Sequence, residues 1–471
     1  MPFNSFSFWL VFPFIFGLYW LIPAKYNQWR KVFLVLASYL LYMNWKPAFA
    51  LVLLGVTLVT YGGGYLLGAQ QVTKKRRCVF WPFVLLGLLP LLVFKYYNFI
   101  NNSISDGLSA IGLKFAMPGL NWSVPVGISF FTFQSVGYML DVYHGRVKAE
   151  KNLLDYVLFV SFFPQVTSGP ISTAEELMPQ IKAPHKFDYE QGKQGLKWLL
   201  WGMFIKLVVA DRLGMFVDTV YGNYIHYNGT ACFAASIFYT IQIYADFAGY
   251  SLMAIGIAAT LGFNLINNFK RPYFAVSITD FWKRWHISLT SWLRDYLYIS
   301  LGGNRVGVRR LYLNLFLVMF ASGVWHGANW TFICWGLYHA FFMIAERANN
   351  KNAWYYKAPR VVQILLTQVI VLFGWVLFRA DNIGEAWRMW KAMLGLMPVS
   401  AFDAVLAAEI FTPTTVLFMA LAGLLSFWRF RSYDWCNKVS FKKSLVALAL
   451  FILATLALFT QSYNPFLYFQ F

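Results

Sequence analysis

Apolar residues in this chain fall in long blocks, separated by short polar turns. A helix needs about 20 apolar residues to span the hydrocarbon layer. Blocks of that kind lie near 6–23, 31–45, 48–68, 79–96, 122–143, 195–221, 231–263, 311–329, 330–347, 361–378, 413–428 and 444–461. The shorter block 153–168 runs through Phe162-Phe163-Pro164-Gln165 into Ser168-Gly169-Pro170. Proline removes a backbone donor, so this block reads as a half-span that stops inside the protein. The expected fold is all-α and polytopic, with about 11–13 transmembrane or re-entrant helices in a single domain over residues 1–471. The first block has no basic residue before it and lacks the positive start of a cleavable signal, so it is expected to be a retained span.

Composition agrees with the blocks: 59% of residues are hydrophobic, 12% are charged and mean hydropathy is +0.53. A soluble domain carries roughly 25% charged residues. The net charge of +20 does not point to nucleic acid in so apolar a chain. It is expected to sit in cytosolic loops against anionic lipid. Lys25, Arg30 and Lys31, the run Lys74 to Arg77, and Arg429 to Lys443 mark such loops, which places both termini outside. Segment 175–194 is the main polar stretch and reads as a cytosolic loop or surface helix.

Two stretches carry candidate chemistry. Segment 274–305 is neither a clean span nor a polar loop. Its Trp282, Trp285, Leu289 and Leu293 share one helical face, the pattern of an amphipathic helix at the cytosolic interface. Thr279-Asp280 is a candidate cap for it. In 320–339, His326 lies among apolar residues, and an ionisable group inside a span is a functional candidate by default. A buried imidazole stays neutral, the form a general base requires. Gly323 and Gly327 leave room for a ligand's stem or a neighbouring helix. His339 is taken as structural. The glycine run Gly62-Gly63-Gly64 reads as close helix packing. No histidine pair has metal spacing, so no metal is expected. The four cysteines are scattered without CxxC spacing.

With these residues in view, the chain resembles the membrane-bound O-acyltransferase (MBOAT) family, in its bacterial alginate and peptidoglycan O-acetylation branch. The resemblance runs through VPVGISFFTFQSVGYMLDVYHG at 124–145, FFPQVTSGPI at 162–171 and IQIYADFAGYSLMAIGIA at 241–258. It continues in RPYFAVSITDFWKRWHISLTSWLRDYLYISLGGNR at 271–305 and SGVWHGANWTFICWGLYH at 322–339. Here Ser251 is followed by Leu252, where many alginate-type members carry an acidic residue.

The resemblance implies a ring of helices around a thin centre, with a tunnel past the catalytic histidine. That histidine falls on His326, and a second active-site histidine falls on His286. The last six residues, 466–471, resemble a C-terminal aromatic motif whose tyrosine relays the acyl group; here it is Tyr468. The implied donor is acetyl-CoA, its phosphates near Lys283, Arg284 or Arg294. The implied partners are a secreted or periplasmic acetyltransferase and a polysaccharide acceptor, at a bacterial cytoplasmic (inner) membrane. The alternatives are a D-alanyl exporter for teichoic acids, or a transporter or scaffold without catalysis.

Overall fold

The computed structural model describes residues 1–70, 72–113, 117–349, 354–398 and 440–460, together with positions 412, 413, 417, 420 and 467. All regular structure among them is helical. Among the described residues four helices are long and apolar enough to cross a membrane: Pro47–Ala69, Lys74–Ala110, Gly229–Thr260 and Arg360–Arg379. A fifth span results if the pair Phe6–Leu21 and Ala24–Met43, bent by 102°, is counted as one. Other expected spans emerge as shorter or broken helices, while the expected span 413–428 lies outside the described residues apart from positions 413, 417 and 420. The chain packs as two compact units, residues 1–196 with 254–266 and residues 197–253 with 267–471.

The first unit opens with α1 (Phe6–Leu21) and α2 (Asn27–Met43). Pro23 falls in their bend, where its missing N–H breaks the helical ladder. Next come α3 (Pro47–Ala69), α4 (Thr73–Leu91) and, beyond a π-helical turn at Leu92–Tyr96, α5 (Tyr97–Ala110). The glycine run lets α3 approach its neighbours closely. A Cβ on Gly63 would lie 2.7 Å from Phe83 Cβ, and one on Gly64 would collide with the Tyr138 ring.

Then follow α6 (Ile128–His144), α7 (Leu153–Ser161), the short α8 (Phe163–Val166) and α9 (Ala174–Lys182). The expected half-span takes shape in α7, which stops before Phe162 and Pro164. The broken backbone is buried and supplied with side-chain partners, as irregular backbone at membrane depth requires. Ser38 Oγ accepts from Phe163 N at 3.1 Å, and Gln165 Nε2 donates to Pro170 O at 2.8 Å. Helix α9 is held at its start by a capping box of Thr173 and Glu176. It buries Leu177, Met178 and Ile181, so the first part of the polar stretch is a packed helix.

Two cations read as loop charges are spent inside this unit. Lys31 Nζ lies 2.6 Å from Asp155 Oδ1, both buried. Arg30 donates to Ile22 O at 2.7 Å and His185 O at 2.6 Å.

α10 (Tyr189–Phe204) leads into a π-helical turn at Ile205–Ala210, α11 (Asp211–Gly222) and α12 (Gly229–Thr260). The second unit continues through α13 (Ile278–Trp282), α14 (Ile287–Trp292), a π-helical turn at Leu293–Tyr298 and α15 (Val308–His326). It is completed by α16 (Trp330–Ala348), α17 (Trp354–Lys357), α18 (Arg360–Arg379), α19 (Ile383–Met393) and α20 (Phe441–Thr460).

Helices α15 and α16 form a tight hairpin. A Cβ on Gly323 would strike the Phe332 carbonyl oxygen, and one on Gly336 would strike that of Met319. The room left by Gly323 is therefore filled by a neighbouring helix. Gly327 is likewise closed over by the Phe332 ring. Asn329 restarts the chain as α16, its side chain accepting from Thr331 N at 3.0 Å.

Candidate functional site

His326 is the last residue of α15, placed where the hairpin turns. Its ring centroid is 5.0 Å from that of Trp325, 4.9 Å from Trp335 and 5.3 Å from Phe378. These aromatic faces come from α15, α16 and α18. They leave His326 only 2% exposed.

His286 lies beside it, with ring centroids 6.4 Å apart. It is fully buried, and its ring packs edge-on against Phe247 of α12 at 4.6 Å and near Trp325 at 5.7 Å. Burial pushes the His286 pKa down to about 3, so its imidazole is neutral at physiological pH.

The single amphipathic helix expected over 274–305 is broken at this histidine. His286 has φ 44° and ψ 55°, the left-handed region, which a non-glycine residue enters at a strain of about 1–3 kcal/mol. Strain of this kind persists only where the surroundings hold it. Asn268 does so: its carbonyl accepts from Ile287 N at 3.0 Å, and its Oδ1 accepts from Ser288 N at 3.1 Å. The four face residues Trp282, Trp285, Leu289 and Leu293 are nevertheless all buried, because α13 and α14 each keep part of the apolar stripe.

The start of α13 is also fixed from a distance. Glu346, near the end of α16, accepts from Ile278 N at 2.6 Å, Thr279 N at 3.0 Å and Thr279 Oγ1 at 2.7 Å. The N-cap is Ser277, whose hydroxyl accepts from Asp280 N at 3.1 Å, two residues before the expected Thr279. Thus α16 bears on both histidines, through Trp335 against His326 and through Glu346 on the helix leading to His286.

The basic candidates differ in availability. Lys283 is exposed at the end of α13, with no ion pair among the described residues. Arg284 is tied to Asp280 at 2.9 Å. Arg294 forks onto Asp295 through two contacts of 2.7 and 2.9 Å. His339 packs between Trp335 at 5.1 Å and Trp282 at 5.2 Å. Tyr468, the rest of the 466–471 motif apart from Leu467, and the charges at Arg429, Arg431 and Lys438 lie outside the described residues.

Two buried imidazoles at this separation can address one reacting centre. Two hydrogen bonds of about 2.8 Å to a shared small group span roughly such a gap. One ring can take a proton while the other donates to a carbonyl oxygen. Both rings are enclosed in this structure, so a ligand that reaches them has to part the Trp325, Trp335 and Phe378 cage. Sequence reasoning missed Asn268, Glu346 and Phe378. Trp335 alone carried a sequence signal, its short spacing from His326.

The sequence model for the membrane-bound O-acyltransferase family matches residues 146–384, which include both histidines. The chain is 41% identical to the probable alginate O-acetylase AlgI of Pseudomonas aeruginosa, over 83% of this chain and 75% of that protein. It is 32% identical to the peptidoglycan O-acetyltransferase of Helicobacter pylori, over 95% of this chain and 93% of that one. A teichoic acid D-alanyltransferase of Bacillus subtilis is 26% identical over 80% of this chain and 97% of its own length.

Proposed function

The chain belongs to the membrane-bound O-acyltransferase family, and from that premise we propose that it moves acetyl groups from cytosolic acetyl-CoA through a bacterial inner membrane for polysaccharide O-acetylation. That it is a membrane-bound O-acyltransferase follows from the family match and the relatives. The donor, the acceptor and the residue roles are proposed. The observation that carries them is the pair of buried histidines, one of them held in a strained turn.

His326 serves as the base. It takes the proton of an attacking hydroxyl, and the oxygen adds to the thioester carbonyl carbon. His286, as a neutral N–H donor, stabilises the carbonyl oxygen as charge develops on it. The C–S bond then breaks, and the thiolate takes the proton from His326 to leave as the free thiol. The aromatic cage keeps water from the thioester. Lys283 is the best-placed phosphate partner, since Asp280 and Asp295 partly neutralise Arg284 and Arg294. The acyl group leaves as an ester, with Tyr468 as its covalent relay, and a secreted or periplasmic acetyltransferase passes it to the polysaccharide.

The higher identities to the two O-acetylation relatives favour acetyl over D-alanyl transfer. Acetyl-CoA without a carrier protein should support transfer in isolated membranes; a strict need for a carrier protein would favour the D-alanyl reading. In cells, His326→Ala should abolish polysaccharide O-acetylation while the protein still accumulates in the membrane. Tyr468→Phe should do the same if the relay operates. Full O-acetylation in either variant would refute the role given to that residue.

A further inference from the structure

The second unit buries a charge cluster that the reaction described above does not use. The π-helical turn at Ile205–Ala210 carries Lys206 inward, where it is 1% exposed. Its Nζ lies 2.6 Å from Asp211 Oδ1 and 2.5 Å from Asp246 Oδ1. Both carboxylates are buried as well. One cation between two carboxylates leaves an excess of acceptor oxygens, and buried acceptors require donors. Asp246 Oδ2 finds one far along the chain, in the backbone N–H of Leu467 at 2.8 Å, 221 residues away.

Three features make this a docking point for Leu467. The acceptor is rigid, because Lys206 fixes the other oxygen of the same carboxylate. The donor is a backbone group, so the bond does not depend on the side chain at 467. The anchor also shares α12 with a residue that packs on the site: Asp246 precedes Phe247, whose ring lies 4.6 Å from that of His286.

We infer that Asp246, braced by Lys206, is a positioning residue that holds Leu467 through its backbone N–H. The docking stands on its own geometry. Its bearing on catalysis rests on the relay reading, because Leu467 directly precedes Tyr468 in the sequence.

The test is hydrogen–deuterium exchange on the full-length protein in lipid nanodiscs, following the peptide that covers residues 461–471. In wild type this peptide should show a protected amide. Asp246→Ala should speed its exchange by about tenfold or more, with peptides from α14 and α16 unchanged. Asp246→Ala is prone to misfold, since it strips Lys206 of a partner. Leu467→Pro therefore serves as the second variant: it removes the N–H and fixes φ at 467 while leaving the side chains of the cluster intact. It should loosen the remaining tail amides and lower acetyl transfer, while Leu467→Ala, which keeps the donor, should do neither.

Unchanged tail exchange in a folded Asp246→Ala protein, or in Leu467→Pro, overturns the docking. A loosened tail with full transfer activity overturns the positioning role. A protected tail in a wild-type protein that transfers no acetyl group from acetyl-CoA leaves the docking standing and refutes the acetyl reading instead.

Discussion

Asn268→Ala should cripple the enzyme without touching a histidine. The side chain of Asn268 is fully buried, and its Oδ1 accepts the N–H of Ser288 at 3.1 Å, two residues past His286. Truncation leaves that N–H without its acceptor in a buried turn, a loss of about 1–3 kcal/mol. The backbone carbonyl of residue 268 still holds Ile287, so the turn weakens but does not dissolve. The strain in the left-handed His286, itself about 1–3 kcal/mol, then favours relaxation to an ordinary helical or extended conformation. Either one swings the imidazole away from His326. At about 1.4 kcal/mol per tenfold change in rate, turnover should fall roughly 5- to 150-fold. The assay is transfer of labelled acetyl from acetyl-CoA by isolated membranes, normalised to the protein present by immunoblot. Wild-type turnover at normal protein levels would show that the strained turn does not position the reacting ring.

Other expected outcomes rest on separate features. His286→Asn keeps a residue that tolerates the left-handed region but removes the ring, so the protein should accumulate normally and lose transfer; retained activity would refute a chemical role for the imidazole. Gly336→Ala drives a Cβ into the Met319 carbonyl oxygen and should destabilise the α15–α16 hairpin by about 1–3 kcal/mol, read as a lower Tm in detergent; an unchanged Tm would show that the hairpin can open without penalty. Burial alone would raise the Glu150 carboxyl, but Lys182 at 2.5 Å overrides it and the pKa falls below its usual value. That pairing stabilises the fold above the unfolded carboxylate pKa of about 4.3 and is lost as pH drops through the lower folded value. Glu150→Gln should therefore lower Tm slightly at neutral pH, by no more than about 1 kcal/mol for so exposed a lysine, and the difference should vanish in acid; a difference that persists at low pH would argue against the ion pair.

The features legible in the sequence are those with local causes. Blocks of apolar residues mark the helices, Pro164 marks the end of the half-span, and the glycine runs mark close approaches of helices. His326 stands out because an imidazole inside an apolar block needs a reason. The break at His286 was hidden, because the apolar stripe on both sides of it fits one continuous helix. What bends the chain there are hydrogen bonds donated by Ile287 N and Ser288 N to Asn268, eighteen residues before His286. The charges misled in a similar way. Arg30 and Lys31 resemble loop cations, yet their partners, Ile22, His185 and Asp155, are supplied by the tertiary fold. Asp246 is the one charged residue of its apolar block 231–263, and only the fold brings it to Lys206.

The central claim is that the His326 imidazole takes the proton that lets an acyl group leave its thioester inside the membrane protein. It is tested most directly in sealed proteoliposomes holding the purified protein, with labelled acetyl-CoA on one side and a hydroxyl acceptor on the other. Wild type should deliver label to the far side as an ester, and His326→Ala, reconstituted to the same density, should deliver none while still binding acetyl-CoA. Equal delivery by the two proteins would contradict the claim.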